Sequence, residues 1–136
     1  MILSASQFMS LLTAAESFSR GLQAHQSGDI YTADDYYAMT VETDPLHKDA
    51  WNNMGVIALQ LSQVFEAEKK IRRAMSLDPS DDGAKRNLAN CLMRKAAMLE
   101  RSGDFEAALA TAREALPTCS DPLQLRAIIS NILSAS

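Results

Sequence analysis

The chain holds few of the residue types from which chemical sites are made. In 136 residues there are two cysteines, Cys91 and Cys119, two histidines, His25 and His47, and one tryptophan. The cysteines stand in no CxxC or metal-ligand spacing, and a chain of this length buries enough surface to fold without a disulfide, so two free thiols in a reducing compartment are expected. The histidines are isolated and read as a groove or surface residue (His25) and a loop residue (His47) rather than a metal pair. Five glycines and four prolines are too few for a low-complexity chain, and no glycine run could cradle a phosphate. Asp34-Asp35 and Asp81-Asp82 point to different sides of a helix or sit at a helix start, where they complement the dipole. No catalytic constellation is visible, and neither a metal nor another cofactor is expected.

Positive charge is also scarce. Lys and Arg number 13 against 17 Asp and Glu, a formal charge of −4, which argues against nucleic acid as the partner. No apolar run approaches the ~18 residues of a membrane span. Residues 1–12 lack the basic start, continuous apolar core and cleavage site of a signal peptide, so a cytoplasmic protein with no membrane span is expected.

What the chain does have is helix-forming sequence, rich in Ala, Leu, Met, Glu and Arg. Phe8, Leu11, Leu12, Ala15, Phe18, Leu22 and His25 recur at steps of three and four, which predicts one long first helix over residues 6–27. Gly28-Asp29 breaks it, and a second helix runs over 30–42 until Asp44-Pro45.

A period then emerges. Pro45 and Pro79, Gly21 and Gly55, and Ala33 and Ala67 are each 34 residues apart. Trp51, Met54, Gly55, Ala58, Ala67, Ile71, Ala74 and Asp78-Pro79 make one complete helix–turn–helix unit. Small residues fit where two helices cross closely, and Tyr37, Trp51, Met54 and Ile71 fill the adjoining gaps. Replacing Trp51 by alanine is expected to cost about 3–5 kcal/mol.

In a third unit Leu88, Ala89 and Leu92 fall 34 residues after Met54, Gly55 and Ala58, but the turn glycine arrives seven residues late, at Gly103. Seven residues are almost two helical turns, so Leu92, Ala96 and Leu99 stay on one stripe and a single helix over 81–102 is predicted. Its partner over 105–116 is shorter and leaves part of the long helix to be covered otherwise. Asp121-Pro122, with Gln124, forms an N-terminal cap signal for a seventh helix to about residue 133. Leu125, Ile128, Ile129, Ile132 and Leu133 give that helix an apolar face suited to capping the last hairpin.

The order tryptophan, large-small pair, alanine, large residue and proline over 51–79, together with the 34-residue spacing, resembles the tetratricopeptide repeat family. The resemblance covers roughly 14–120, with Ser17 and Lys85 replacing the tryptophan of the first and third repeats and Ser62 at the turn position of Gly28 and Gly103. It implies an all-α, right-handed α-solenoid of about seven helices: three hairpins and a C-terminal capping helix in a single domain, 1–136. Repeat 1 spans about 6–45, repeat 2 about 46–79, repeat 3 with its lengthened first helix about 80–120, and the cap about 121–134.

The family's groove is lined by the first helix of each hairpin. Carried onto this chain, the positions are Ala15, Phe18, Ser19, Leu22 and Gln26, then Asp49, Asn52, Asn53, Val56 and Gln60, then Arg86, Asn87, Asn90, Met93 and Arg94. Asn53 and Asn87 are 34 apart and resemble the asparagine ladder with which some members hold an extended peptide backbone; Ser19 occupies the same place in the first repeat. The alternative is solvated asparagines on a helix surface. Arg86, Asn90 and Arg94 lie on one stripe, fit for a partner carboxylate or for plain solvation. Of the clamp with which members bind chaperone tails, only Asn53 matches. Phe18, Leu22, Gly83 and Asn87 hold the other places, so that mechanism is not expected.

Lys69, Lys70, Arg72 and Arg73 form a basic cluster expected to face Asp34, Asp35, Glu42 and Asp44 of the preceding hairpin, with Glu66–Lys70 and Glu68–Arg72 as pairs within the helix. Cys91 reads as a small buried hydrophobe. The leading expectation is a non-enzymatic adaptor or chaperone that binds a peptide or helix of another protein. Size and architecture also resemble the secretion chaperones of bacteria. A different class is a self-assembling scaffold, a homo-oligomer formed through terminal helices, because Phe8, Met9, Leu11 and Leu12 look exposed and Arg126 is the only charge on the last helix.

Overall fold

Thr13 divides the segment expected to form one long first helix. Its backbone is extended (φ −69°, ψ 164°), its hydroxyl accepts from the Glu16 N–H at 3.1 Å, and Glu16 Oε1 accepts from the Thr13 N–H at 3.3 Å. This reciprocal capping box starts a new helix. The structure, a computed structural model describing residues 2–119 and 121–135, therefore has α1 (Ala5–Ser10) and α2 (Ala14–Gln26) in place of one continuous helix. Leu12, expected to be exposed, is buried beside this junction, whereas Phe8 and Leu11 are exposed; the Met9 side chain lies outside the described residues.

The hairpins follow in order. Helix α2 pairs with α3 (Ile30–Thr43), α4 (Lys48–Gln60) with α5 (Val64–Leu77), and α6 (Asp82–Arg101) with α7 (Phe105–Ala115). A 3-10 turn (Leu116–Thr118) leads to α8 (Pro122–Ala135), and no strand occurs among the described residues. Helix α3 packs on α4 and α5 on α6, so the hairpins stack in chain order as an α-solenoid.

Close crossing explains the small residues. A Cβ on Gly21 would lie 2.6 Å from Cε1 of Tyr37, and one on Gly55 would overlap Cγ1 of Ile71. Tyr37 and Ile71 are fully buried in these gaps, and Met54 is buried beside Tyr37. Trp51 is only half-buried; its indole N–H donates to the Pro45 carbonyl at 2.8 Å, so it secures the loop before its own helix as well as packing. In the first hairpin Ser17 takes the tryptophan's place, buried, accepting from the Thr40 hydroxyl at 3.2 Å and donating to the Thr13 carbonyl at 3.0 Å.

Helix α6 has 20 residues where α2 and α4 have 13 each, and its bounds lie within one residue of those predicted. The shorter α7 does not cover it alone: Leu92 and Ala96 share a buried cluster with Ala112 and Ala115 of α7 and Leu125 of α8. Asp121 caps α8 by accepting from the Gln124 N–H at 3.1 Å, and Pro122 is its first residue. Leu125 and Ile132 are buried and Ile128 and Ile129 pack against the cluster, but Leu133, expected on the same face, is 53% exposed, although its neighbour Ile132 is buried.

Charged side chains link α5 forward rather than only back. Glu68 accepts from Lys95 of α6 at 2.8 Å and from Arg72 at 2.9 Å, and Arg72 reaches Glu114 of α7 at 2.7 Å. Among the described residues no ion pair joins these cations to the acidic residues of the first hairpin, although the Lys70 charge acts on Asp34. Glu66 pairs with Lys69 at 3.3 Å, not with Lys70, because the i+3 ammonium is the nearer.

Candidate functional site

Three side-chain bonds join the inner helices, and each spans 35 residues, one more than the repeat. His25 Nε2 meets Gln60 Oε1 at 3.2 Å, Asn87 Nδ2 donates to Asn52 Oδ1 at 3.0 Å, and Arg94 Nη1 donates to the Leu59 carbonyl at 2.9 Å. A position on one inner helix thus faces the next position along on its neighbour. The first bond joins α2 to α4 and the other two join α4 to α6.

Between α4 and α6 lies a cleft of about 370 Å³ lined by Val56, Leu59, Gln60, Asn87, Asn90, Met93 and Arg94. Five residues chosen from the sequence as site residues, Val56, Gln60, Asn87, Asn90 and Arg94, thus converge on one recess. Its floor is apolar, and its rim carries three carboxamides and one guanidinium. Such a surface can donate to and accept from a peptide backbone while packing its side chains.

The remaining site residues lie elsewhere. Asn53 is half-buried and its carboxamide lies near Tyr37 of the first hairpin. The Tyr37 hydroxyl meets His25 Nδ1 at 3.4 Å; burial pushes its pKa up, opposed by the nearby Asn53 side chain. Phe18 packs inward against Tyr37, with ring centroids 5.7 Å apart, and against His47 at 4.5 Å. Ser19 lines a separate recess on α2 with Ala15, Glu16, Arg20 and Gln23. Leu22 and Arg86 are exposed at the surface. Asn52 is half-buried beside the cleft through its bond to Asn87.

Several contacts at the site are absent from the sequence reading. His47, read as a loop residue, caps α4, its Nδ1 accepting from the Ala50 N–H at 3.2 Å. Lys48 ties the start of α4 to Asp78 at the end of α5 at 2.5 Å and to Asp81, the cap of α6, at 3.5 Å. Leu59 and Met93 supply the cleft's floor. Among the described residues no group of His, Cys, Asp or Glu could hold a metal ion, and no described helix is long and apolar enough to cross a membrane.

Comparison with known proteins agrees with this arrangement. No curated protein matches the chain. Solved structures do so over nearly their full length. The N-terminal domain of stress-induced protein-1 from C. elegans is 17% identical, covering 96% of this chain and 99% of its own, with a TM-score of 0.62. The first TPR of Spaghetti (RPAP3), bound to the HSP90 peptide SRMEEVD, is 17% identical, with coverages of 90% and 92% and a TM-score of 0.61. The Arabidopsis OM64 TPR domain is 15% identical, with coverages of 91% and 97% and a TM-score of 0.60. At these identities the likeness speaks for the fold. The tetratricopeptide repeat family model matches residues 49–121, more than half of the chain. With its hairpins, its 34-residue spacing and that match, the chain belongs to the tetratricopeptide repeat family.

Proposed function

We propose that this protein is a non-enzymatic protein-interaction module that holds a peptide or helix of a partner against α4 and α6, acting as an adaptor or chaperone. The observation that carries the reading is the cleft of about 370 Å³ in which Val56, Gln60, Asn87, Asn90 and Arg94 converge. Its carboxamides suit a peptide backbone, and Met93 and Leu59 suit an apolar side chain. One structural neighbour binds the peptide SRMEEVD. Here Phe18, Leu22, Gly83 and Asn87 stand where the cations and one asparagine of the chaperone-tail clamp would be, and only Asn53 matches, so binding of a chaperone tail by that clamp is not expected.

The test is titration of partners captured from the native cell extract against the unaltered chain and an Asn87→Ala, Asn90→Ala double variant. At least tenfold weaker binding by the variant is expected, about 1.4 kcal/mol. Equal affinity would place the site elsewhere. A second reading, self-assembly through the chain ends, is favoured by the exposure of Leu11 at 69% and Leu123 at 79%. Sedimentation equilibrium showing monomer alone at high concentration removes it.

A further inference from the structure

The two extra turns of α6 build a second recess, which shares only Arg94 with the repeated groove positions. It has a volume of about 350 Å³ and is lined by Ser62, Val64, Arg94, Ala97, Met98 and Arg101. Helix α4 ends at Gln60, whose counterpart one repeat later is Arg94. Ala97, Met98 and Arg101 therefore lie on the part of α6 that runs past its neighbour. Arg94 and Arg101 are seven residues apart, nearly two full turns, and share a helix face.

The charges at this recess are unspent. Lys48, Arg72 and Lys95 meet carboxylates, but among the described residues neither Arg94 nor Arg101 does. Arg94 is fixed at the rim by its bond to the Leu59 carbonyl. Ser62 adds an independent sign. It has φ 59° at the turn where Gly28 and Gly103, with φ of 84° and 83°, close the other hairpins. A left-handed serine is strained where glycine is not, and Ser62, exposed, is among the residues that line the recess.

We propose that this recess binds a partner segment in which a glutamate or aspartate carboxylate adjoins a large apolar side chain. The apolar side chain rests on Val64, Ala97 and Met98. The carboxylate bridges Arg94 and Arg101 and accepts from the Ser62 hydroxyl. Complementary charge selects this occupant: two guanidiniums beside an apolar floor favour an anion that brings its own apolar surface. The chain's overall charge of −4 means that attraction is local to the recess. In taking a peptide as ligand the inference rests on the protein-binding reading above, but it needs no contact in the cleft of Asn87 and Asn90.

The test is a titration of the full 15N-labelled chain with acetyl-Ala-Leu-Glu-Ala-amide, followed by amide shifts. The Glu probe is expected to move the amides of Ser62, Val64, Ala97, Met98 and Arg101 saturably. Its Gln counterpart, and the form with Leu changed to Ala, bind several-fold more weakly. Arg101→Gln lowers affinity for the Glu probe about tenfold. Absence of saturable shifts at these amides, or equal binding of the Gln probe, overturns the proposal. Shifts confined to Val56, Asn87 and Asn90 also overturn it, while leaving the groove reading in place. The Glu-against-Gln comparison is made on the unaltered chain, so it stands whatever Arg101→Gln does to folding.

Discussion

Asn87 donates to Asn52 over 3.0 Å, although its counterpart in the repeat is Asn53. The ladder register and the bonding register differ by one residue, and Asn53 lies near Tyr37 instead. The Asn52 and Asn87 side chains are half-buried, so their bond contributes to stability as well as orienting Asn87 toward the cleft. Asn87→Ala is expected to cost about 1 kcal/mol, and a double-mutant cycle with Asn52→Ala to give a coupling of about 0.5–1.5 kcal/mol. Urea unfolding measures both. Additive losses would mean that the bond contributes nothing in solution.

The crossing of α4 and α5 depends on the absence of a Cβ at residue 55, where Ile71 fills the space. Gly55→Ala gains helix propensity but must displace a packed side chain inside a dense core. A net loss of about 1–3 kcal/mol is expected. Truncating the obstructing side chain in the double variant Gly55→Ala, Ile71→Ala tests the cause. The two losses should be less than additive, as read from denaturant midpoints.

Ser62→Gly should act in the opposite direction. The serine pays for a left-handed φ of 59° that glycine adopts freely. Since no Ser62 side-chain bond holds the turn, the substitution is expected to stabilise the fold by about 0.5–1 kcal/mol. Thermal unfolding would show it as a rise in Tm. An unchanged or lower Tm would mean that the serine is not strained.

These residues also show how far the sequence was legible. The span of α6 could be read because seven added residues return an apolar stripe to almost the same face. Gly21 and Gly55 could be read because a close crossing admits nothing larger. The break at Thr13 was written in the sequence as Thr-x-x-Glu, but the apolar steps continue across it and periodicity alone passes over a cap. His47 as a cap was not legible, because histidine is not among the residues that favour that position. Nor was the pairing of Asn52 with Asn87 or of Arg94 with the Leu59 carbonyl. Repeat spacing gives equivalent positions, whereas contact depends on how one hairpin is staggered on the next.

Acid should loosen the second hairpin, where Lys48 at the start of α4 meets Asp78 at the end of α5. The Lys48 ammonium, followed by the hydroxyl and N–H of Ser80, holds the Asp78 carboxyl at about 2 against an ordinary 3.8. The folded chain thus takes up this proton later than the unfolded chain. Its contribution to stability is complete above the unfolded value of 3.8 and is lost as pH falls through about 2. Lys48→Met is expected to flatten that part of the stability–pH curve, measured by urea midpoints between about pH 2 and 5. An unchanged slope would assign the acid sensitivity to other carboxylates.

The two thiols should separate cleanly. Cys91 is fully buried and its Sγ donates to the Val64 carbonyl at 3.4 Å, while Cys119 is partly exposed. Burial pushes the Cys91 thiol up to about 11; the nearby Glu68 charge adds to this, and Lys95, Arg72 and Arg94 oppose it. A thiolate is the reacting species, so at about pH 8 Cys91 is both protonated and out of reach. An aromatic disulfide reagent is expected to label one thiol of the folded chain quickly and the second only as fast as the core opens. In Cys119→Ser the fast phase should vanish, and in denaturant a single thiol should react at once. A fast phase that survives in Cys119→Ser would mean that the packing around Cys91 opens far more readily than its burial against α5 implies.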